Sequence, residues 1–256
     1  MKFFTMGNKN HPAILFFHAM GVSAKSSIPV AMYLKDDYYC IMPSSSVYCK
    51  DQRYISKEDE VKQVKDFLKK EGISHLALVV ASSIGADLAM AFLTTTPYKV
   101  DHVFFDGGQF AQIPKMLRSI MTPFLYLAIK SLAWSKGRTL KYILWCDDEA
   151  IKPYFIEAGQ GLTYHNLRMQ LSDSLVKDAF PSLSKKMQEH TFFEFGSIED
   201  HYKYRDAVMK AYPNGNYPVF DQYNHMQYQI RDPKGFARML ISVMKENQLP
   251  DLPFMK

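Results

Sequence analysis

Cysteine is scarce in this chain: three in 256 residues, at Cys40, Cys49 and Cys146. Three thiols cannot all pair, and none falls at a metal-ligand spacing. That excludes a disulfide scaffold and a zinc-stapled domain, and it fits a reduced, cytoplasmic setting. Long apolar runs are missing too. The most apolar stretch, Met121 to Ile129, holds Pro123 and is flanked by Arg118 and Lys130, so it is too short to span a bilayer. The first residues carry one lysine and no long apolar core, so no secretory signal is expected. Lysines and arginines are spread among acids to a net charge of +5, with no basic run interleaved with aromatics. A nucleic-acid partner is therefore not expected. There is no internal repeat and no low-complexity segment. What remains has the length of one α/β domain with a modest insertion.

One junction stands out. Leu78 to Ala89 reads LVVASSIGADLA. Leu76–Ala81 is an unbroken apolar run, as in a parallel strand buried on both faces. Ala86–Phe92 has helical spacing, with Leu88, Ala91 and Phe92 on one side. Only Ser82 to Gly85 lie between them. So short a reversal strains its middle residue, Ser83, and leaves room only for small neighbours, here Ala81 and Gly85. Small-x-Ser-x-Gly is the nucleophile-elbow pattern, which holds a hydroxyl exposed above a sheet. The plainer reading is a strand-to-helix turn with a serine N-cap. The pentapeptide alone does not separate the two.

Further strands are expected at Phe3–Met6, Ala13–Phe17, Tyr38–Met42 (ended by Pro43), Val100–Phe105, Thr191–Phe195 and Tyr217–Asp221. Helices are expected over Ser23–Leu34, from a Ser56 cap to Gly72, over Asp200–Ala211, and after Asp232 and Pro233, which read as N-cap and first helical residue. The alternation breaks once, from Gln109 to about His190. There Ile113, Met116, Leu117, Ile120, Phe124 and Leu125 recur at helical spacing, and Thr163–Leu175 and Ser182–Gln188 read as further helices. The class is α/β: a mostly parallel central sheet flanked by helices, with residues 1–108 and 191–256 as core and 109–190 as a helical cap insertion.

Sites in such sheets lie at the carboxyl ends of strands. Beyond Ser83, three of those ends carry polar residues. HAMG, His18 to Gly21, follows the Ala13 strand. A tight turn there aims backbone N–H groups upward, so the N–H of Met20 and that of Ile84 are candidates to hold an oxyanion. His18 itself reads as a turn residue bonded to backbone. GSIEDH, Gly196 to His201, follows the Thr191 strand and offers Glu199 and Asp200; first-turn helix charges are the plain alternative. QYNH, Gln222 to His225, follows the Tyr217 strand. The order is serine, acid, histidine, each at a strand end.

On AILFFHAMG, ASSIG, FFDGG, EFGSIED and YNHMQYQIRDPKGFARML, the chain resembles the α/β-hydrolase fold superfamily, in its compact bacterial form with a helical cap. It departs in Ala19 and Ala81, which stand where glycines are usual, and in having two adjacent candidate acids. The resemblance implies Ser83 as nucleophile, His225 as base, Glu199 (or Asp200) as acid, and Met20 and Ile84 as oxyanion donors. It implies a serine hydrolase acting on a carboxylic ester through an acyl-enzyme, with no cofactor and no metal. Met116, Met121, Phe124, Leu125, Tyr126, Leu127, Ile129 and Trp134 are more apolar surface than one helix face buries. Part of it is expected to pack on the core and part to line a tunnel for an apolar acyl group. Glu199 is favoured by its spacing from Gly196, with Asp200 next and Asp106, in DGG after the Val100 strand, third. The alternative function is a non-catalytic small-molecule-binding protein of the same fold. A homodimer is open to either.

Overall fold

The apolar runs lie side by side. A computed structural model describes residues 1–110, 113–140, 149–174 and 180–256. Seven strands form one sheet in the order β1-β3-β2-β4-β5-β6-β7. They are β1 (Lys2–Met6), β2 (Ala13–Phe17), β3 (Tyr39–Ser44), β4 (His75–Ser82), β5 (Lys99–Asp106), β6 (Thr191–Gly196) and β7 (Val219–Phe220). Only β1 runs antiparallel, at an edge; the other pairs are parallel. The central strands are buried on both faces, which is why they read as continuous apolar runs. Alternate residues divide between two cores. Leu15, Val79, Ala81, Phe105 and Phe193 face one side, with α2 (Lys57–Lys70) and α3 (Gly85–Thr95). Ile14, Phe16, Leu78, Val80 and Phe104 face the other, with the short α1 (Ile28–Ala31) and α10 (Pro233–Glu246).

Local signals acted where they were strong. Ser56 caps α2 by accepting from the Asp59 N–H at 3.1 Å, and Val61, Val64 and Leu68 are its buried stripe. Asp232, just past the short α9 (Gln227–Arg231), caps α10 by accepting from the Gly235 N–H at 2.8 Å. Four expectations shift. Pro43 does not end β3: it lies in the strand opposite Phe3, beyond Ile41, where pairing with β2 stops. With one strand neighbour left, its missing N–H breaks no second ladder. Ser23–Leu34 is a 3-10 turn (Ala24–Ser27) followed by α1, and Asp200–Ala211 is a 3-10 turn (Asp200–Tyr204) followed by α8 (Arg205–Ala211). Tyr217–Asp221 contracts to Val219–Phe220, because β7 pairs only with the end of β6.

Between β5 and β6 come α4 (Lys115–Trp134), α5 (Lys152–Gly161), α6 (Tyr164–Ser174) and α7 (Lys185–Glu189). Leu175 and Cys146 lie outside the described residues. Helix α5 had no periodic signal, since its buried positions include Ala158, Gly159 and Gly161 rather than a large-residue stripe. Polar ties hold the insertion over the sheet. Asn166 accepts from the Tyr54 N–H (3.2 Å) and donates to the Gln52 carbonyl (2.9 Å). Asp173 accepts from the Tyr54 hydroxyl (2.8 Å), and Glu157 from Ser23 (2.9 Å) and Lys25 (2.8 Å). Among the described residues no helix is long and apolar enough to cross a membrane.

Candidate active site

Ser83 sits between β4 and α3 at φ 53°, in the left-handed region. A non-glycine residue there carries about 1–3 kcal/mol of strain, held only by what surrounds it. The Ser83 N–H donates to the Asp106 carbonyl (3.0 Å), and the Ser83 carbonyl accepts from Ala86 (3.0 Å) and Gln109 (2.9 Å). Gly85 shows why the elbow needs a small residue. A Cβ there would lie 2.4 Å from the Phe17 carbonyl oxygen, so any side chain would push α3 off β2. Ser82 turns the other way. It is buried, its Oγ accepts from Gln229 Nε2 at 3.0 Å, and it lines a different cavity with Ser26 and Pro29.

The acid and the histidine arrive on two loops bonded to each other. Ser197 N–H donates to the Phe220 carbonyl, Ile198 N–H to the Tyr223 carbonyl, and Gln222 N–H to Ser197 Oγ. Left-handed Gln222 (φ 59°) and Met226 (φ 56°) bracket the histidine turn, a strain the sequence did not announce. Asn224 Oδ1 fixes the backbone by accepting from the His225 N–H at 2.7 Å. His225 Nδ1 then lies 2.7 Å from Glu199 Oε2. The Glu199 side chain is 0% exposed. Asp200 is exposed at the start of the 3-10 turn. Of the two adjacent acids, the structure brings Glu199 to His225 and leaves Asp200 outside. With Glu199 ionised, Nδ1–H donates to it and Nε2 is free to accept.

Gly107, at φ +57°, makes this approach possible. A Cβ there would stand 2.5 Å from His225 Nδ1 and 3.0 Å from Glu199 Oε2. Ser83 and His225 line one cavity of ≈ 230 Å³. Its floor includes Ala19, Met20 and Gly21, and its roof Leu125, Ile129, Leu132 and Phe155. Of the sequence-chosen oxyanion donors, Met20 lines this cavity, and Ile84 opens α3, whose first-turn N–H groups lack intrahelical acceptors. His18 is a buried fixture. Its Nδ1 is 2.8 Å from the Ala19 carbonyl and its Nε2 accepts from the Ser45 N–H at 3.0 Å. Burial lowers its pKa to about 4, so it stays neutral.

Sequence reasoning offered Asp106 only as an acid for His225 and missed its partner beneath the site. Glu194, the one acid in the buried strand TFFEFG, hydrogen-bonds Asp106 at the end of the adjacent strand. Burial pushes Asp106 up to about 6 and Glu194 well above the usual range, the latter also through repulsion from Asp106 and Glu199. The pair therefore keeps a proton near neutral pH, with Glu194 as donor, and Gln229 Nε2 donates to Asp106 Oδ2. A lone glutamate in an otherwise apolar strand is the signal that could have found it. His201 packs edge-on against His225, with ring centroids 4.7 Å apart. Burial and the neighbouring His225 lower the pKa of His201 to about 4. Among the described residues Glu199, His201 and His225 offer three ligand atoms within 4.8 Å of one another. Glu199 and His225 are already bonded to each other there.

No protein-family model and no curated protein matches the sequence. Solved structures do match. A Desulfitobacterium hafniense protein assigned to the α/β hydrolase family superposes with a TM-score of 0.74 at 15% identity, over 95% of this chain and 100% of its own. A carboxylesterase of the ammonia-oxidising thaumarchaeon Nitrososphaera gargenis gives 0.72 at 14%, over 96% of each. A bromoperoxidase from Bacillus anthracis gives 0.71 at 12%, over 95% of each. Proteins so differently described share this architecture, so at such identities the likeness speaks for fold and not for reaction. With its parallel sheet, its serine elbow after β4 and these matches over nearly its full length, the chain has the α/β-hydrolase fold.

Proposed function

We propose that this protein is a serine hydrolase that cleaves a carboxylic ester by acyl transfer. One observation carries the reading: a strained, cavity-facing serine shares its cavity with a histidine whose far nitrogen is 2.7 Å from a fully buried carboxylate. In this reading His225 Nε2 takes the proton of Ser83 Oγ as that oxygen attacks the ester carbonyl. Glu199 orients the imidazole and stabilises its cation. The N–H groups of Met20 and Ile84 receive the negative charge of the tetrahedral intermediate. His225 then returns its proton to the leaving alkoxide, and water releases the acyl group by the same steps. Several structural neighbours of the fold are named as esterases or carboxylesterases, which agrees with this choice among the fold's chemistries.

Residues 109–190 act here as a cap. The cavity walls are mostly apolar and its volume is below the roughly 300–1,000 Å³ of drug-sized sites. That favours a small or medium apolar acyl group. The test is hydrolysis of p-nitrophenyl esters from acetate to decanoate by the natural chain and by Ser83→Ala. The expected result is turnover with a chain-length optimum, abolished in Ser83→Ala with the fold intact. Ligand binding without turnover in the natural chain would instead favour a non-catalytic binder of the same fold.

A further inference from the structure

Helix α4 is apolar on two opposite faces, and only one is used. Arg118, Thr122, Ile129 and Leu132 face inward and are buried. On the other side Leu117, Ile120, Phe124, Leu127 and Trp134 are 45%, 52%, 68%, 54% and 68% exposed. At 100° per residue these five fall in a stripe about 100° wide, along a helix about 30 Å long. Met116, at the same edge, is 77% exposed. An apolar strip of this length left in water marks an interaction surface.

Along the helix the charge has one sign. From Gly107 to Leu140 the sequence has five lysines and arginines and no acid, and the next acid is Asp147. Lys136 and Arg138 are exposed just past Trp134, and Lys130 flanks the stripe. Between α4 and α6 opens a cleft of ≈ 510 Å³, lined by Ser119, Thr122, His165 and Arg168 among others, with no carboxylate among its lining residues. Arg118, at its base, is spent on the carbonyls of Ile113, Leu171 and Ser172, but Arg168 is exposed. A second copy of this chain would set the same cations against themselves, in a protein of net charge +5. An anionic lipid surface complements both features at once. Aromatic and aliphatic side chains enter the headgroup boundary while lysine and arginine meet phosphate.

We propose that the outer face of α4, with the Arg168 cleft beside it, seats the protein on an anionic phospholipid surface. The seat is peripheral, since nothing in the helix spans. It goes beyond the esterase reading and does not need it: lipid contact is made by the side of α4 that faces away from the cavity of Ser83.

The experiment uses the full chain carrying Ser83→Ala, so that no lipid is consumed. Cosedimentation is measured with vesicles of phosphatidylcholine alone and with about a third phosphatidylglycerol. Binding is expected to the second and not the first, weakening as salt rises. Trp145→Phe leaves Trp134 as the sole tryptophan, and its emission is expected to shift to the blue on binding. Phe124→Asp with Leu127→Asp should abolish binding. Lys136→Glu with Arg138→Glu should weaken it about tenfold or more. Thermal melts matching the parent establish that these surface variants are folded; Phe124→Ser serves if the double aspartate is not. Equal binding to both vesicles, no binding to either, or binding indifferent to position 124 overturns the proposal. So does a dimer in solution that Phe124→Asp dissolves while vesicles are ignored, since the face is then a protein interface.

Discussion

The floor and the roof of the cavity are built on opposite principles. The floor is the carboxyl edge of the sheet, where Ser83, Glu199, His225, Asp106 and Glu194 are held by hydrogen bonds, glycines and burial. Each polar group has little freedom, and a single Cβ at Gly107 would collide with the histidine. The roof is apolar: Leu125, Ile129 and Leu132 line the cavity from a helix whose far side meets water. Directional bonds fix position, whereas apolar contact fixes little beyond volume. Changes in the floor are therefore expected to stop the reaction, and changes in the roof to redirect it.

The sharpest test of that contrast is the pair of neighbouring acids. Glu199→Gln should lower kcat about 10³–10⁴-fold with KM little moved, because the imidazole loses its tautomer and its counter-charge. Asp200→Asn, one residue away and exposed, should stay within about threefold. Steady-state kinetics of both decide it, and equal losses would dissolve the assignment. Next in size comes Gly107→Ala. The added methyl is expected to swing His225 from Glu199 and cost about 10²-fold in kcat.

In the roof, Leu125→Trp should shift the preferred ester length by about tenfold in relative kcat/KM, while Phe124→Trp leaves the profile alone. A sequence view holds the two positions alike, but the structure separates them: Leu125 lines the cavity and Phe124 is exposed. The smallest expected effect is on stability. The Asp106 carboxyl is raised from its ordinary 3.8 to about 6, so its contribution is full below 3.8 and lost as pH rises through 6. His18 is lowered from 6.5 to about 4, so its contribution is full above 6.5 and lost as pH falls through 4. Relative to the natural chain, the Tm of Asp106→Asn should rise by a few degrees from pH 4 to 7, and that of His18→Gln should rise as pH falls. Flat differences in both would remove the buried-proton account.

Much of the fold was legible because its strands are buried on both faces: Ala13–Phe17 matches to the residue, and β4, β5 and β6 to within one or two. The elbow was legible because Gly85 packs against backbone, a constraint sequence records as a small residue. Spacing from Gly196 favoured Glu199 for the acid but did not exclude Asp200 or Asp106. Glu199 and Asp200 share a turn, and only tertiary packing decides which one is buried against His225. Helix α5 and the Asp106–Glu194 pair were not legible. The first buries small residues without a stripe, and the second is a contact between strands 88 residues apart in sequence. Which side of α4 faces the cavity was equally hidden, since both sides are apolar.

The central claim is that Ser83, and no other hydroxyl, is the activated nucleophile. The direct measurement is mass-spectrometric mapping of the adduct left by a fluorophosphonate on the natural chain, with Ser82→Ala and Ser83→Ala in parallel. The account predicts one adduct, on the peptide holding Ser83, retained in Ser82→Ala and absent in Ser83→Ala. An unlabelled natural chain, or an adduct that survives Ser83→Ala, would contradict it.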